Sequence, residues 1–185
     1  MPPLMVTPDH RRQAKVVNFG IVYGLSAFGL SQQLGITTGE AKNFIDAYFE
    51  KYAGVRAFID ATLEKARRDQ KVSTLFGRIR PIPDIISKNP TQRGFAKRTA
   101  VNTPLQGTAA DLIKVAMIRI DEEIRKRGLK SRMTLQVHDE LVFEVPEHEV
   151  DAMKSLVREH MEQAHSLAVP LLVEIGVGLN WRDLE

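Results

Sequence analysis

Three groups of residues in this chain have the types and spacing to do chemistry. The first is His138-Asp139-Glu140, set between two short apolar runs in residues 133–146, MTLQVHDELVFEVP. The runs read as paired strands, so an imidazole and two adjacent carboxylates stand at a hairpin bend. Such bends usually carry Asn-Gly or Asp-Gly, which tolerate positive φ. Carboxylate oxygens suit Mg²⁺, and Asp139 on a rigid tip could supply one ligand. Successive strand residues point opposite ways, so Glu140 need not face the same ion. His138 could touch a phosphate. A polar turn without any ligand would carry the same three residues.

The second group is Arg11, Lys15, Phe19 and Tyr23, each four residues after the last. On a helix each such step drifts by about 40°, so the four form one slanting stripe. Two cations come first and two aromatics follow. Like charges at i,i+4 weaken an isolated helix slightly, which suggests an anion between them. The positive end of the helix dipole lies at the same end. A triphosphate there, with a base stacked on Phe19, would make a nucleotide site. The alternative is an amphipathic helix with solvated Arg and Lys and a buried Phe. The third group, Arg98, Asn102 and Gln106, repeats the same spacing around Pro104. Its long polar donors suit the minor-groove acceptors that every base pair presents, or they line a solvated face. Arg78 and Arg80 could contact phosphates or sit in a solvated loop.

The elements that must position these groups read as helices first and sheet later. Thr7 is an N-cap with Pro8 at the first helical position and Asp9 in the first turn, for a helix to about Tyr23. Gly24 and Ser26 break and restart it, and Gly35 ends the second helix. Thr37 to Glu40 form a capping box. Ala41, Phe44, Ile45, Tyr48, Phe49 and Tyr52 should then face the core, and Gly54 should close that helix. Val55, Phe58, Ile59, Thr62, Leu63 and Ala66 mark a fourth. Residues 72–76 read as a short strand and 77–90 as irregular. A helix resumes near Thr91, is interrupted at Thr103-Pro104, restarts near Gly107-Thr108 with Thr108 and Asp111 as its cap, and ends at Gly128. The hairpin (132–145), a helix from about Glu147 to Ala164 and a strand at 171–177 complete an α+β arrangement.

Composition narrows the class. The chain has 185 residues, 43% of them apolar and 26% charged, as in ordinary globular proteins. No apolar run has transmembrane length, Met1-Pro2-Pro3 lacks the basic region of a signal peptide, and there is no cysteine for a disulfide or thiolate site. A cytoplasmic protein with no membrane partner is expected. Net charge is +3, but residues 1–100 carry +8 and residues 101–185 carry −5. A basic half beside an acidic half suits a protein that grips a polyanion with one part and holds cations with the other.

The string RRQAKVVNFGIVYG (11–24) resembles the finger-helix motif of family A DNA polymerases, the bacterial DNA polymerase I type: Arg, three residues, Lys, three, Phe, three, Tyr-Gly. TLFGRIRPIPDI (74–85), RTAVNTPLQGTAADLIKVAM (98–117), LQVHDELVFEVP (135–146) and PLLVEIGVGLNW (170–181) resemble successive palm segments of that family, in its order. The resemblance covers Val6 to Trp181. It implies a helical fingers segment (1–71) followed by a partial palm (72–185), an incomplete polymerase right hand. It implies template-directed transfer of a nucleotide from dNTP to a primer 3′ end by two Mg²⁺ ions. Arg11 and Lys15 would bind the dNTP phosphates. Phe19 would pack on the incoming sugar and base and disfavour dideoxynucleotides, and Tyr23 would hold the template-stacking position. Arg98, Asn102, Gln106 and His138 would contact primer–template DNA. Asp139 would be a metal ligand and Glu140 a supporting or weak one; with Lys15 they make up the expected catalytic set.

One departure from the family pattern is large. Its other metal-binding aspartate lies in a DYSQIELR-like segment before the finger helix, and nothing in these 185 residues matches it, the steric gate against ribonucleotides, the thumb or an exonuclease. Only part of the metal ligand set is therefore here, and the isolated chain is expected to be inactive or very weak. Three readings follow. The chain is the C-terminal piece of a polymerase that works with a separate N-terminal chain, or an inactive truncated product, or a non-catalytic module binding DNA or dNTP. Its place would be the nucleoid of a bacterium or a phage-infected cell. An unpaired sheet edge and bare apolar surface should make the isolated chain self-associate.

Overall fold

A computed structural model describes residues 6–184; Met1-Pro2-Pro3 lies outside them. The chain folds as α1 (Pro8–Val22), α2 (Ala27–Leu34), α3 (Thr38–Lys51), α4 (Ala53–Asp69), β1 (Lys71–Ser73), β2 (Ile79–Pro81), α5 (Pro90–Lys126), β3 (Arg132–Val137), β4 (Glu140–Glu144) and α6 (Val150–Glu162). This is an α+β chain. Each sheet is an antiparallel pair, β1 with β2 and β3 with β4. No described helix is long and apolar enough to cross a membrane.

The helix boundaries follow local hydrogen-bonding chemistry. Thr7, Ser26 and Thr37 accept backbone N–H bonds as N-caps of α1, α2 and α3, and the Glu40 carboxylate closes the Thr37 capping box. Gly35 ends α2 in the left-handed conformation that glycine adopts without a Cβ penalty. Gly54 does not close α3. Tyr52 caps it and Gly54 lies inside α4, one residue past its start.

The chain forms two compact units, Met1–Leu105 and Gln106–Glu185. The division between these units falls within α5. The reason is packing: Val72, Ile82 and Ile85 bury themselves with Ala66, Ala96 and Ala100, so β1 and the segment that follows β2 share a core with α4 and the start of α5. A second cluster in the first unit gathers Val17, Ile21, Leu30 and Ala41, with Ile45, Tyr48 and Phe49 packed against it. Phe44 and Tyr52, expected in the core, are 47% and 46% exposed. They sit at the margins of the apolar stripe of α3, whose centre is taken by Ala41, Ile45 and Tyr48.

Three sequence expectations are corrected here. The strand at 72–76 is shorter, because Gly77 turns the chain at φ +83 and Ile79–Pro81 pairs back as β2, a strand the proline-rich sequence conceals. The helix through Thr103-Pro104 is continuous. Pro104 is enclosed by α5, the Thr103 hydroxyl donates to the Thr99 carbonyl at 2.7 Å, and Thr108 and Asp111 lie mid-helix rather than at a cap. Residues 171–177 are not a strand: among the described residues they join neither sheet. Burial still alternates along the stretch, Leu171, Val173 and Ile175 being more covered than Leu172, Glu174 and Gly176. The Val173 N–H donates to the Glu162 carboxylate at 3.1 Å, and Ile175 reaches the core of the second unit.

That core is Ala116, Ile120 and Ile124 of α5 against Met153, Leu156 and Val157 of α6, with Met133, Leu141 and Phe143 of the hairpin packed on it. Leu156 has no exposed surface. Leu156→Ala is expected to cost about 2–5 kcal/mol, from lost transfer energy and a residual cavity; urea unfolding of the variant measures this. The approach to β3 is held by Glu149, a buried carboxylate that accepts the backbone N–H groups of Lys130 (2.9 Å) and Ser131 (2.9 Å) and the Ser131 hydroxyl. The Lys130 N–H first, then the Ser131 hydroxyl and N–H and the neighbouring His148, hold its pKa below the ordinary 4.5. A depressed carboxylate stabilises the fold above its unfolded pKa and stops doing so as pH falls through the folded value. The melting temperature should therefore fall as pH drops below about 4.5. Glu149→Gln should melt roughly 5–10 °C lower at neutral pH and lose less on acidification, which thermal scans across that range would show.

Candidate functional site

Helix α1 presents the basic and aromatic stripe. Its start is set by Thr7, whose hydroxyl accepts the His10 N–H while the His10 ring accepts the Thr7 N–H, each at 3.2 Å. An imidazole thus fills the place a Glu or Gln usually takes in a capping box. Val17 and Ile21 are buried, and Arg11, Lys15 and Phe19 point away from them into solvent. Phe19 is 53% exposed, so the alternative of a buried Phe is excluded. Its ring stacks on Tyr23, with centroids 6.1 Å apart and planes 10° apart. Arg12 pairs with Asp9 at 3.2 Å. Among the described residues Arg11 and Lys15 have no carboxylate partner, which leaves two cations one turn apart, Arg11 near the positive end of α1 and Lys15 at its middle.

A chain reversal after α1 builds a groove against this stripe. Gly24 takes φ +80, and the Leu25 N–H closes back on the Gly20 carbonyl at 2.7 Å. Leu25 fits between α1 and α2 because two facing residues lack side chains: a Cβ on Gly20 or Gly29 would come within 2.8 or 2.7 Å of it. The resulting groove of about 590 Å³ is walled by Lys15, Phe19 and Tyr23, by Leu25 and Gln33, and by Arg98 from α5. Arg11 does not line it. The stem of Arg98 crosses Gly24, where a Cβ would meet the Arg98 Cγ at 3.3 Å. The spacing argument placed Arg98 with Asn102 and Gln106; the fold brings it to the groove with Lys15, Phe19 and Tyr23. Gln33, exposed in α2, also joins the groove, and no local signal pointed to it.

The other polar residues of α5 differ in setting. Asn102 is half-buried, with its Oδ1 enclosed and meeting no protein donor among the described residues. Gln106 is exposed. Arg80 lies in β2, not in a loop, and its guanidinium donates to the Thr103 hydroxyl at 3.4 Å.

In the second unit, Val137 pairs with Glu140, so His138 and Asp139 are the two loop residues and Glu140 opens β4. His138 takes φ +53, the role Asn or Gly usually fills, and the Gln136 side chain donates to its carbonyl at 2.6 Å. A bulge between Met133 and Leu135 lets the Thr134 hydroxyl donate across to the Val142 carbonyl. His138, Asp139 and Glu140 are all exposed, and among the described residues neither Asp139 nor Glu140 has a cation partner. Their hard oxygens are suitable donors for Mg²⁺. The described residues gather no group of three His, Cys, Asp or Glu able to hold a metal ion, so the donors fit part of a site.

The chain matches the model of DNA polymerase family A over residues 1–183, and it belongs to that family. DNA polymerase I of Streptococcus pneumoniae R6 is 50% identical over 181 residues, 98% of this chain and 21% of the relative. The Bacillus subtilis DNA polymerase I is 51% identical over 96% of this chain. A thermostable DNA polymerase I of Thermus filiformis is 50% identical over 98%. The chain thus spans about a fifth of the length of these relatives. A solved POL domain of Pol1 from M. smegmatis, in complex with DNA primer-template and dNTP, matches all of this chain with TM-score 0.96 and 48% identity, over 32% of its own length.

Proposed function

We propose that this chain is the fingers (1–71) and partial palm (72–185) of a DNA-directed DNA polymerase. It transfers a nucleotide from dNTP to a primer 3′ end when an N-terminal portion is supplied. The observation that carries the proposal is the groove of the first unit, which Lys15 and Arg98 line together with the Phe19–Tyr23 stack, Phe19 exposed and Tyr23 half-buried. A planar base needs an aromatic face and its phosphates need cations, and the groove offers both. The solved relative's complex with primer-template and dNTP supports this reading.

In this mechanism Arg11 and Lys15 neutralise the triphosphate, and Lys15 also faces the charge that develops on the leaving phosphates. Phe19 packs on the sugar and base; Tyr23 occupies the template-stacking position. Arg98, Asn102 and Gln106 hold primer–template through donors that suit every base pair, and His138 touches the primer end. Asp139, with Glu140 as a weaker or indirect donor, would hold part of a two-Mg²⁺ site. Bound there, the metal would supply charge neutralisation at the reacting phosphate. Carboxylates from the missing portion must complete it, so the chain alone is inactive or nearly so. A non-catalytic DNA- or dNTP-binding module is the second reading, favoured by the groove's lining of cations and aromatics, which suits binding whether or not chemistry follows. Exposed Leu172, Val177 and Leu179 favour self-association of the isolated chain. The deciding assay is primer extension with Mg²⁺, with and without an N-terminal family A fragment. Extension only in the mixture supports the first reading; none in either supports the second.

A further inference from the structure

Helix α1 is anchored in the first unit by a narrow apolar line, Val17 and Ile21, one turn apart, and on one flank by Leu25 packed against Gly20. A helix held along one line and one flank can still roll on the other flank. At about 100° per residue the Arg11–Lys15–Phe19–Tyr23 stripe lies roughly opposite that line, and Asn18 lies on the flank between the two. From that flank Asn18 makes a long-range bond: its Oδ1 accepts the Tyr48 hydroxyl of α3 at 2.7 Å. Tyr48 is itself well fixed. Its ring packs against the cluster under α1, meets Phe49 edge-on at 5.7 Å and lies 4.8 Å from Tyr52. Burial raises the phenol's pKa, with Tyr52 adding to the effect, so the hydroxyl stays a donor.

We infer that Asn18 and Tyr48 are positioning residues: their hydrogen bond sets the roll of α1 and so the direction in which Lys15 and Phe19 meet the nucleotide. A small roll moves the long Lys15 and Phe19 side chains far more than it moves the axis, because both project on the outer side. The bond acts at right angles to the apolar line, where it resists roll most effectively. The inference rests on the groove being a triphosphate site only for its functional consequence; the geometric claim stands apart from it.

The experiment separates the two. The chain has no cysteine, so spin labels on Ala14→Cys and Lys42→Cys, both exposed, report the spacing of α1 and α3 by pulsed electron resonance. Tyr48→Phe and Asn18→Ala should each broaden the distance distribution while the chain stays folded by circular dichroism, and the double variant should broaden it no further. Thymidine triphosphate binding by the unlabelled variants should weaken about 3- to 10-fold, again without addition in the double variant. An unchanged distribution in folded Tyr48→Phe overturns the inference, as do losses that add fully. A broadened distribution in a chain whose parent does not bind thymidine triphosphate upholds the positioning role and overturns the nucleotide reading instead.

Discussion

An Asp139→Ala chain mixed with an N-terminal family A fragment is expected to extend a primer at least ~10³-fold more slowly than the parent chain, a barrier increase of roughly 4 kcal/mol. The magnitude follows from charge. A carboxylate a few ångströms from a divalent ion neutralises part of its charge and fixes its place, and phosphoryl transfer depends on that ion's position more than on any side-chain proton transfer. Asp139 sits at the hairpin tip, exposed and, among the described residues, without a cation partner. Its replacement should therefore leave the melting temperature within a degree or two, since exposed, unpaired positions contribute little to stability (roughly ±0.5 kcal/mol). Asp139→Asn keeps the shape and removes the charge, so it should lose nearly as much activity. Glu140→Ala should lose less, because Glu140 begins β4, off the hairpin tip, and is expected to support the metal site rather than to ligate directly. Gel-resolved extension of a labelled primer measures all three. Extension that survives Asp139→Ala would refute the assignment of this hairpin to the metal site.

Arg11→Ala combined with Lys15→Ala is expected to weaken dNTP binding about 10- to 100-fold, the loss of two charge-assisted phosphate contacts discounted for exposure. Stability should move the other way. The two cations stand at i,i+4 on α1, so removing them relieves repulsion of a few tenths of a kcal/mol (roughly 0.2–0.5). A double variant that binds nucleotide less and melts at the same or a slightly higher temperature separates a binding role from a structural one. Binding to the parent should also fall steeply with salt, because exposed charges are screened over about 8–10 Å at ordinary ionic strength; the double variant should lose most of that dependence. Fluorescence titration with a labelled dNTP at two salt concentrations tests this. Unaltered affinity in the double variant would remove Arg11 and Lys15 from the phosphate site.

Much of the fold was legible because the interactions that define it are local. The caps at Thr7, Ser26 and Thr37 and the glycine stop at Gly35 each depend on hydrogen bonds within five residues. The hairpin around His138-Asp139 was visible in its period-two pattern, and the order Arg11, Lys15, Phe19, Tyr23 placed one stripe on one helix. Local signals misled where tertiary packing overrode them. Pro104 reads as a break, yet α5 runs through it; Ile79–Pro81 reads as loop, yet its pairing with β1 makes it a strand. Residues 171–177 have the composition and alternation of a strand, but a strand also needs a ladder partner, and that is not a property of its own sequence.

The sequence alone therefore determined which residues carry charge, aromatic faces and metal-binding oxygens, and on which element each rides, because helix caps and side-chain periodicity act over one or two turns. Only the tertiary structure decided that Arg98 joins Lys15, Phe19 and Tyr23 in one groove and that Tyr48 holds Asn18 across thirty residues. Those contacts depend on how helices pack over buried Val17, Ile21, Leu30 and Ala41, and packing is settled by the fit of side chains distant in the chain, which no local pattern encodes.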